Sequence, residues 1–313
     1  MENINTEKIA ESKNDTNALS SSTPTKEHPT NNSTPPESKH YKAWWFDIIV
    51  MVMIFFSSQM VGIYLCNELG ILPPQMAVAD ENSIVFDDDV SSQQAKFTAC
   101  VSFFAMILCL IVLELYRRWR GFGKMISFRT PGWASPFRLL CAYILMWCFS
   151  IVIEPIAAML PTIEAPLGGG GWLLISAVFI APLFEEIVFR GYIAGTLRKA
   201  YGVVVAWLTS SLFFGLAHGA PDSALSAAFI GLILCYCYFR YRSLVMVIML
   251  HAMNNLTACF LHNIGAADSS IQQIINNNQI YWVIYALCLS VSIIAIARMW
   301  QNVKELESDK YLQ

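Results

Sequence analysis

Residues 172–193 read WLLISAVFIAPLFEEIVFRGYI. A helix needs about 20 mostly apolar residues to cross a bilayer, so this run is long enough to form a membrane span. It nevertheless contains Glu185, Glu186 and Arg190. Because a charged side chain at membrane depth costs at least a few kcal/mol, these residues indicate a reaction centre, a permeation path or a structural ion pair.

The composition of the whole chain is that of a membrane protein. Of its 313 residues, 56% are hydrophobic and 14% are charged, and the mean hydropathy is +0.48. A soluble domain would carry roughly 25% charged residues. The net charge of -3 gives little indication of a partner, and we expect a lipid bilayer around the chain and no bound nucleic acid.

The apolar runs predict an all-α fold, a polytopic membrane bundle of about eight transmembrane helices. The predicted spans are Trp44 to Cys66, Phe97 to Leu115, Leu139 to Leu160, Trp172 to Ile193, Val203 to His218, Ala224 to Phe239, Leu244 to Leu261 and Ile280 to Ala297.

The lysines and arginines predict the orientation of the bundle, because cytoplasmic loops accumulate them. They follow the second, fourth, sixth and eighth spans and occur in the N-terminal tail, whereas the opposite loops contain Lys96 and several acidic residues. The alternation predicts that both termini are cytoplasmic. We expect a bacterial inner membrane, with the endoplasmic reticulum as the alternative.

Four regions follow from these patterns. Residues 1–42 are rich in Asn, Ser, Thr and Pro and are predicted to be a disordered polar tail. Residues 43–136 contain two spans joined by an acidic outer loop and followed by a basic loop. Residues 137–300 form the main membrane domain, and residues 301–313 form a short C-terminal tail.

The polar residues recur at helical spacings. Glu186 and Arg190 are four residues apart and share a helix face, so each can neutralise the other. Glu185 lies about 100° around the helix and can face a different neighbour. An antiparallel hairpin with its turn near Tyr201-Gly202 would set Glu185 and His218 at the same depth, roughly 25 Å from the turn.

A further pair lies on the seventh span. His251 and Asn255 are four residues apart and therefore project from one face as two convergent hydrogen-bonding groups. Amide side chains in membranes also join helices to one another, and Asn254 is assigned that role.

Three motifs in this order carry a resemblance to a known family. They are Glu185-Glu186-x-x-x-Arg190, Phe214-x-x-x-His218 and His251-x-x-x-Asn255. The set resembles the CPBP intramembrane proteases, which include the CAAX prenyl proteases and bacteriocin-processing and immunity relatives. The resemblance covers about residues 140–262 and implies hydrolysis of a peptide bond inside a helical bundle.

The resemblance also implies roles for individual residues. Glu185 matches the glutamate that activates water as general base, and His218 matches the histidine that helps to hold that water. His251 and Asn255 match the pair that stabilises the oxyanion. Glu186, Arg190 and Phe214 match the supporting positions of the motifs.

The cofactor and the substrate stay open at this point. Glu185, His218 and His251 form a ligand set that zinc can use, but the His-Glu-x-x-His helix that makes zinc binding readable from sequence is absent. A metal-free, glutamate-activated water explains the same residues. The substrate is expected to be a peptide or protein at the membrane, prenylated or not.

Two alternatives come from other functional classes. A transporter or channel would use the intramembrane Glu, Arg and His residues as a proton or ion relay. An inactive scaffold or immunity protein would keep the motifs for packing. A Glu185→Gln variant separates the protease from the scaffold, because proteolysis should vanish whereas a scaffold should tolerate the change.

Overall fold

A computed structural model of the protein describes residues 44–74, 88–122, 136–161, 168–266 and 270–308. The predicted disordered tail and residues 75–87 of the acidic outer loop lie outside the described residues. Within these ranges the secondary structure is helical, with no β-strand. The helices are α1 (Trp45–Glu68), α2 (Asp88–Trp119), α3 (Pro136–Ala157), α4 (Gly170–Tyr201), α5 (Val203–Leu216), α6 (Pro221–Tyr241), α7 (Leu244–Asn263), α8 (Ile271–Ile275) and α9 (Asn278–Ser308).

In the described part of the chain, 7 helices are long and apolar enough to cross a membrane: α1, α2 from Val90 onward, α3, α4, α6, α7 and α9. Large apolar side chains along α1 and α9 are exposed, among them Met60 and Leu287. Such a surface is stable only against lipid. The predicted fold class is therefore confirmed, and the chain is a multi-pass integral membrane protein.

The fifth predicted span is shorter than expected. In place of Val203 to His218, the helix α5 covers 14 residues, Val203–Leu216. At 1.5 Å per residue it extends about 21 Å, whereas a hydrocarbon core is about 30 Å thick. It is thus an apolar helix held by its neighbours within the bundle, beside the seven longer ones.

The last helix is longer than expected. Instead of ending at Ala297, α9 continues to Ser308, so the first part of the predicted C-terminal tail is helical. Near its end, the carboxylate of Glu307 accepts a hydrogen bond from the backbone N–H of Val203, the first residue of α5.

The helix α4 is irregular. It is α-helical over Gly170–Leu174, Ala181–Glu186 and Gly195–Tyr201, and π-helical over Ile175–Ile180 and Ile187–Ala194. A π-helical turn inserts one residue relative to the α-helical register, and such turns frequently occur at functional sites. Both glutamates of the first motif lie between the two π-helical segments.

A tight hairpin connects α4 to α5 where the sequence predicted a turn. Gly202 has a φ angle of 92°, a conformation that glycine adopts without steric cost. Further along, a Cβ atom on Gly215 would lie 2.7 Å from Cβ of Ala228. Glycine at this position therefore allows α5 and α6 to pack closely, which brings Phe214 into the core.

Candidate active site

A buried carboxylate lies at the centre of the site. Glu186 on α4 has no exposed surface, and its Oε1 accepts hydrogen bonds from Arg190 Nη1 at 3.0 Å and from His251 Nδ1 at 2.9 Å. Arg190 is also fully buried, and its Nη2 donates to the carbonyl of Gly231 at 3.4 Å. Glu186 thus joins α4 to α7 through His251, and Arg190 joins α4 to α6.

These contacts fix the orientation of the His251 ring. An ionised carboxylate accepts hydrogen bonds only, so Nδ1 of His251 carries the proton that is donated to Glu186. In the neutral ring Nε2 is then an acceptor. It lies 4.0 Å from Oε2 of Glu185, whose side chain is 18% exposed. Two acceptor atoms from different helices therefore face the same small volume.

Phe214 on α5 connects the polar groups. Its ring lies 4.1 Å from the Arg190 guanidinium, 4.9 Å from the His218 ring and 5.5 Å from the His251 ring, measured from the ring centroid. A guanidinium over an aromatic face gains a cation–π attraction that increases with burial. Phe214 therefore supports both charged and aromatic members of the site.

His218 lies at the edge of this arrangement. It follows the end of α5, its side chain is exposed, and its Nδ1 lies 2.8 Å from the carbonyl oxygen of Phe214. Since a carbonyl only accepts, Nδ1 is the donor and Nε2 of the neutral ring is an acceptor. The structure thus places His218 against Phe214, at the open end of the site.

Asn255 contacts the backbone of α4. Its Nδ2 donates to the carbonyl of Ala177 at 2.8 Å, and its Oδ1 lies 3.4 Å from Nδ2 of Asn254. Asn255 and His251 therefore reach α4 at two different points, as their shared face on α7 predicts. The Ala177 carbonyl was not among the predicted site groups.

Three atoms of the site have no hydrogen-bond partner within the described residues. They are Oε2 of Glu185, Oε2 of Glu186 and Nε of Arg190, all of them buried. Buried polar atoms are nearly always hydrogen-bonded in folded proteins, and exceptions occur at functional sites. Mutual neutralisation of charge therefore does not fully account for the arrangement of these polar groups on α4.

The predicted zinc ligands do not form a metal site in this arrangement. Among the described residues, no group of three or more His, Cys, Asp or Glu side chains lies close enough together to hold a metal ion. Glu185 and His251 approach each other, but His218 packs on Phe214. Zinc binding by these residues therefore stays a prediction, and the reaction proposed below uses no metal.

Comparison with known proteins identifies the segment that contains the site. Residues 168–257 match the family described as "Type II CAAX prenyl endopeptidase Rce1-like". All three motifs lie within this match, which begins just before α4 and ends within α7.

A bacterial protein is similar to part of this chain. A Bacillus subtilis (strain 168) protein named "Putative membrane peptidase YdiL" is 31% identical over 103 residues, which are 33% of this chain and 40% of the relative. The chain thus matches less than half the length of this relative. No solved structure matches. The resemblance indicated by the three motifs is confirmed over residues 168–257, which match this family.

Proposed function

We propose that this protein is an intramembrane endopeptidase of the CAAX-protease type, which hydrolyses a peptide bond in a membrane-associated protein with a glutamate-activated water. The approach of Glu185 Oε2 to His251 Nε2 at 4.0 Å carries the proposal. Each atom accepts a hydrogen bond, and a single water molecule can donate one hydrogen to each. Such a water has its oxygen lone pairs free to attack a carbonyl carbon.

The reaction then follows from the positions of the groups. The water oxygen bonds to the carbonyl carbon of the substrate while Glu185 takes the proton as general base. The resulting tetrahedral intermediate carries a negative oxygen. It collapses as the carbon–nitrogen bond breaks, and the proton held by Glu185 passes to the leaving amine. General acid–base catalysis of this kind contributes about 10²–10⁴-fold to a rate.

Glu186 acts through His251 in this proposal. Its carboxylate holds Nδ1–H and so directs Nε2 toward Glu185. His251 Nε2 accepts the second hydrogen of the water, which stays on the attacking oxygen in the tetrahedral intermediate, and so holds that oxygen in place. Asn255 has a second amide hydrogen besides the one bonded to Ala177, which supports the oxyanion role that the resemblance implies.

The substrate class is proposed from the family and the surroundings. The exposed His218 marks the open end of the site, where we place the incoming peptide. The name of the matched family supports a prenylated C-terminus as substrate. The proposed location is a bacterial inner membrane with both termini in the cytoplasm. The lysines and arginines support this orientation, because α5, although short, reverses the chain between α4 and α6, and the chain then changes direction as it would with eight spans.

Cleavage assays with purified protein test the proposal. A fluorogenic prenylated peptide, its unprenylated form and a library of membrane peptides are offered to wild type, to Glu185→Gln and to the control Glu305→Gln. Glu305 is an exposed glutamate on α9. We expect Glu185→Gln to lose about 10²–10⁴-fold in kcat and Glu305→Gln to cleave like wild type. A chelator arm tests the zinc hypothesis.

Each contrary result has a clear meaning. Cleavage at the wild-type rate by Glu185→Gln would overturn the role of this residue. Absence of any cleavage by well-folded wild type would favour the transporter or the scaffold, which an ion-flux assay in liposomes then separates.

A further inference from the structure

We propose that Pro182 and Asn255 act as a pair that positions Glu185 against His251. The inference rests on the proposed function, because it concerns how the same site is assembled. It starts from the backbone of α4, in which a π-helical turn meets a proline.

The hydrogen-bond register of α4 leaves one carbonyl without its regular donor. The N–H of Ala181 donates to the carbonyl of Ser176, five residues back. In that register the next carbonyl, that of Ala177, would receive the N–H of residue 182. This residue is proline, which has no N–H. A carbonyl in the interior of a membrane protein needs another donor, because an unsatisfied backbone group costs several kcal/mol there.

Asn255 supplies that donor. Its Nδ2 lies 2.8 Å from the Ala177 carbonyl oxygen. The hydrogen bond joins α7 to α4 on the N-terminal side of Glu185, while His251 joins the same two helices through Glu186 at 2.9 Å on the C-terminal side. The two bonds therefore bracket Glu185 and fix the depth at which it faces His251 Nε2.

The pairing explains why Pro182 lies so close to the first motif. With an ordinary residue at position 182, the gap in the register would close within α4 and Asn255 would lose its partner. Proline keeps the Ala177 carbonyl available, and Asn255 uses it to set the position of α7. Pro182 and Asn255 are thus positioning residues, in addition to any contact that the second amide hydrogen of Asn255 makes with substrate.

A double-mutant cycle tests the pair. Asn255→Ala, Pro182→Ala and the double variant are compared with wild type for melting temperature in detergent and for kcat and KM of peptide cleavage. Loss of one ordinary hydrogen bond lowers the melting temperature by about 2–4 °C, and we expect this loss for Asn255→Ala. In the double variant residue 182 regains an N–H, so at least half of the loss in melting temperature and part of the loss in kcat should be recovered.

Two results would overturn the pairing. An equal loss of melting temperature from Asn255→Ala in both backgrounds would show that Asn255 does not depend on the gap at residue 182. The second result is that Pro182→Ala restores the melting temperature of Asn255→Ala but not its kcat. The catalytic effect of Asn255 would then come from contact with the substrate, and Asn255 would have no positioning role.

Hydrogen exchange gives a second measurement in case Pro182→Ala does not fold. Asn255→Asp keeps the size of the side chain but has no N–H donor, and it should increase amide exchange around residues 177–183. Asn263→Asp, at the exposed last residue of α7, is the matched control and should not. Equal exchange in the two variants would contradict the pairing. Because melting and exchange need no substrate, they test the pair even if the protein cleaves nothing, a result that would overturn the proposed function alone.

Discussion

Two carboxylates of this protein are equally buried, but they differ in how their two oxygens are hydrogen-bonded. Asp47 on α1 and Glu186 on α4 both have 0% exposure, and each is paired with an arginine. Asp47 accepts four hydrogen bonds. Its Oδ1 is bonded by Tyr116 at 2.6 Å and Arg120 Nε at 2.6 Å, and its Oδ2 by Trp44 N at 2.7 Å and Arg120 Nη2 at 2.9 Å.

Glu186 accepts both of its hydrogen bonds at Oε1, and its Oε2 has no partner among the described residues. The two sites also differ in place: Asp47 lies in the first turn of α1, whereas Glu186 lies within α4 between two π-helical segments. A carboxylate with both oxygens bonded serves to hold helices together. Glu186 instead orients His251 through Oε1 and leaves Oε2 unbonded among the described residues.

The largest expected effect is on the stability of the inner pair. Arg190→Met keeps a long apolar side chain but leaves the buried Glu186 charge without its cation. Removing one partner of a buried ion pair costs about 3–5 kcal/mol, so we expect a steep fall in thermal stability in detergent. The double variant Arg190→Met/Glu186→Gln removes both charges and should be more stable than Arg190→Met alone. A loss below about 1 kcal/mol would mean that the pair is not the buried one described.

The outer pair should give a smaller loss without a catalytic defect. Asp47→Asn replaces one accepting oxygen by an NH2 group that faces Arg120 or the N–H of Trp44. Hydrogen bonds to charged groups contribute about 1.5–3 kcal/mol, and the neutral amide weakens those that Asp47 accepts. Unfolding measurements should show that loss, while kcat per folded molecule stays at the wild-type value. If kcat per folded molecule falls in Asp47→Asn, then Asp47 contributes to the active site and the contrast with Glu186 fails.

Local patterns in the sequence were sufficient to predict the helices and part of the site. Apolar runs predict helices because a membrane leaves few other ways to satisfy the backbone. The four-residue spacing of Glu186 and Arg190 places them on one face, and the structure pairs them at 3.0 Å. The turn at Gly202 was predicted because a chain reversal there brings two polar segments to one depth.

Contacts between distant helices could not be predicted in this way. Asp47 and Arg120 are 73 residues apart in sequence, and only the packing of α1 against α2 brings them together. The same holds for His251, whose hydrogen bond with Glu186 was not predicted from the sequence. Which residues of α4 face α7 depends on its π-helical turns, and the sequence pattern did not predict these turns.

The smallest expected effect comes from removing one of the four donors at Asp47. Tyr116→Phe deletes the hydroxyl bonded to Oδ1, but Arg120 Nε remains on the same oxygen. The net contribution of one hydrogen bond is about 0.5–1.5 kcal/mol, and the remaining donors should keep the loss at the lower end of that range. Comparing the free energies of unfolding of Tyr116→Phe and Asp47→Asn shows whether the remaining donors at Asp47 compensate for the loss of one. If Tyr116→Phe costs as much as Asp47→Asn, the Asp47 carboxylate depends on a single donor, and the difference between the two sites lies in their position along their helices rather than in the number of their hydrogen bonds.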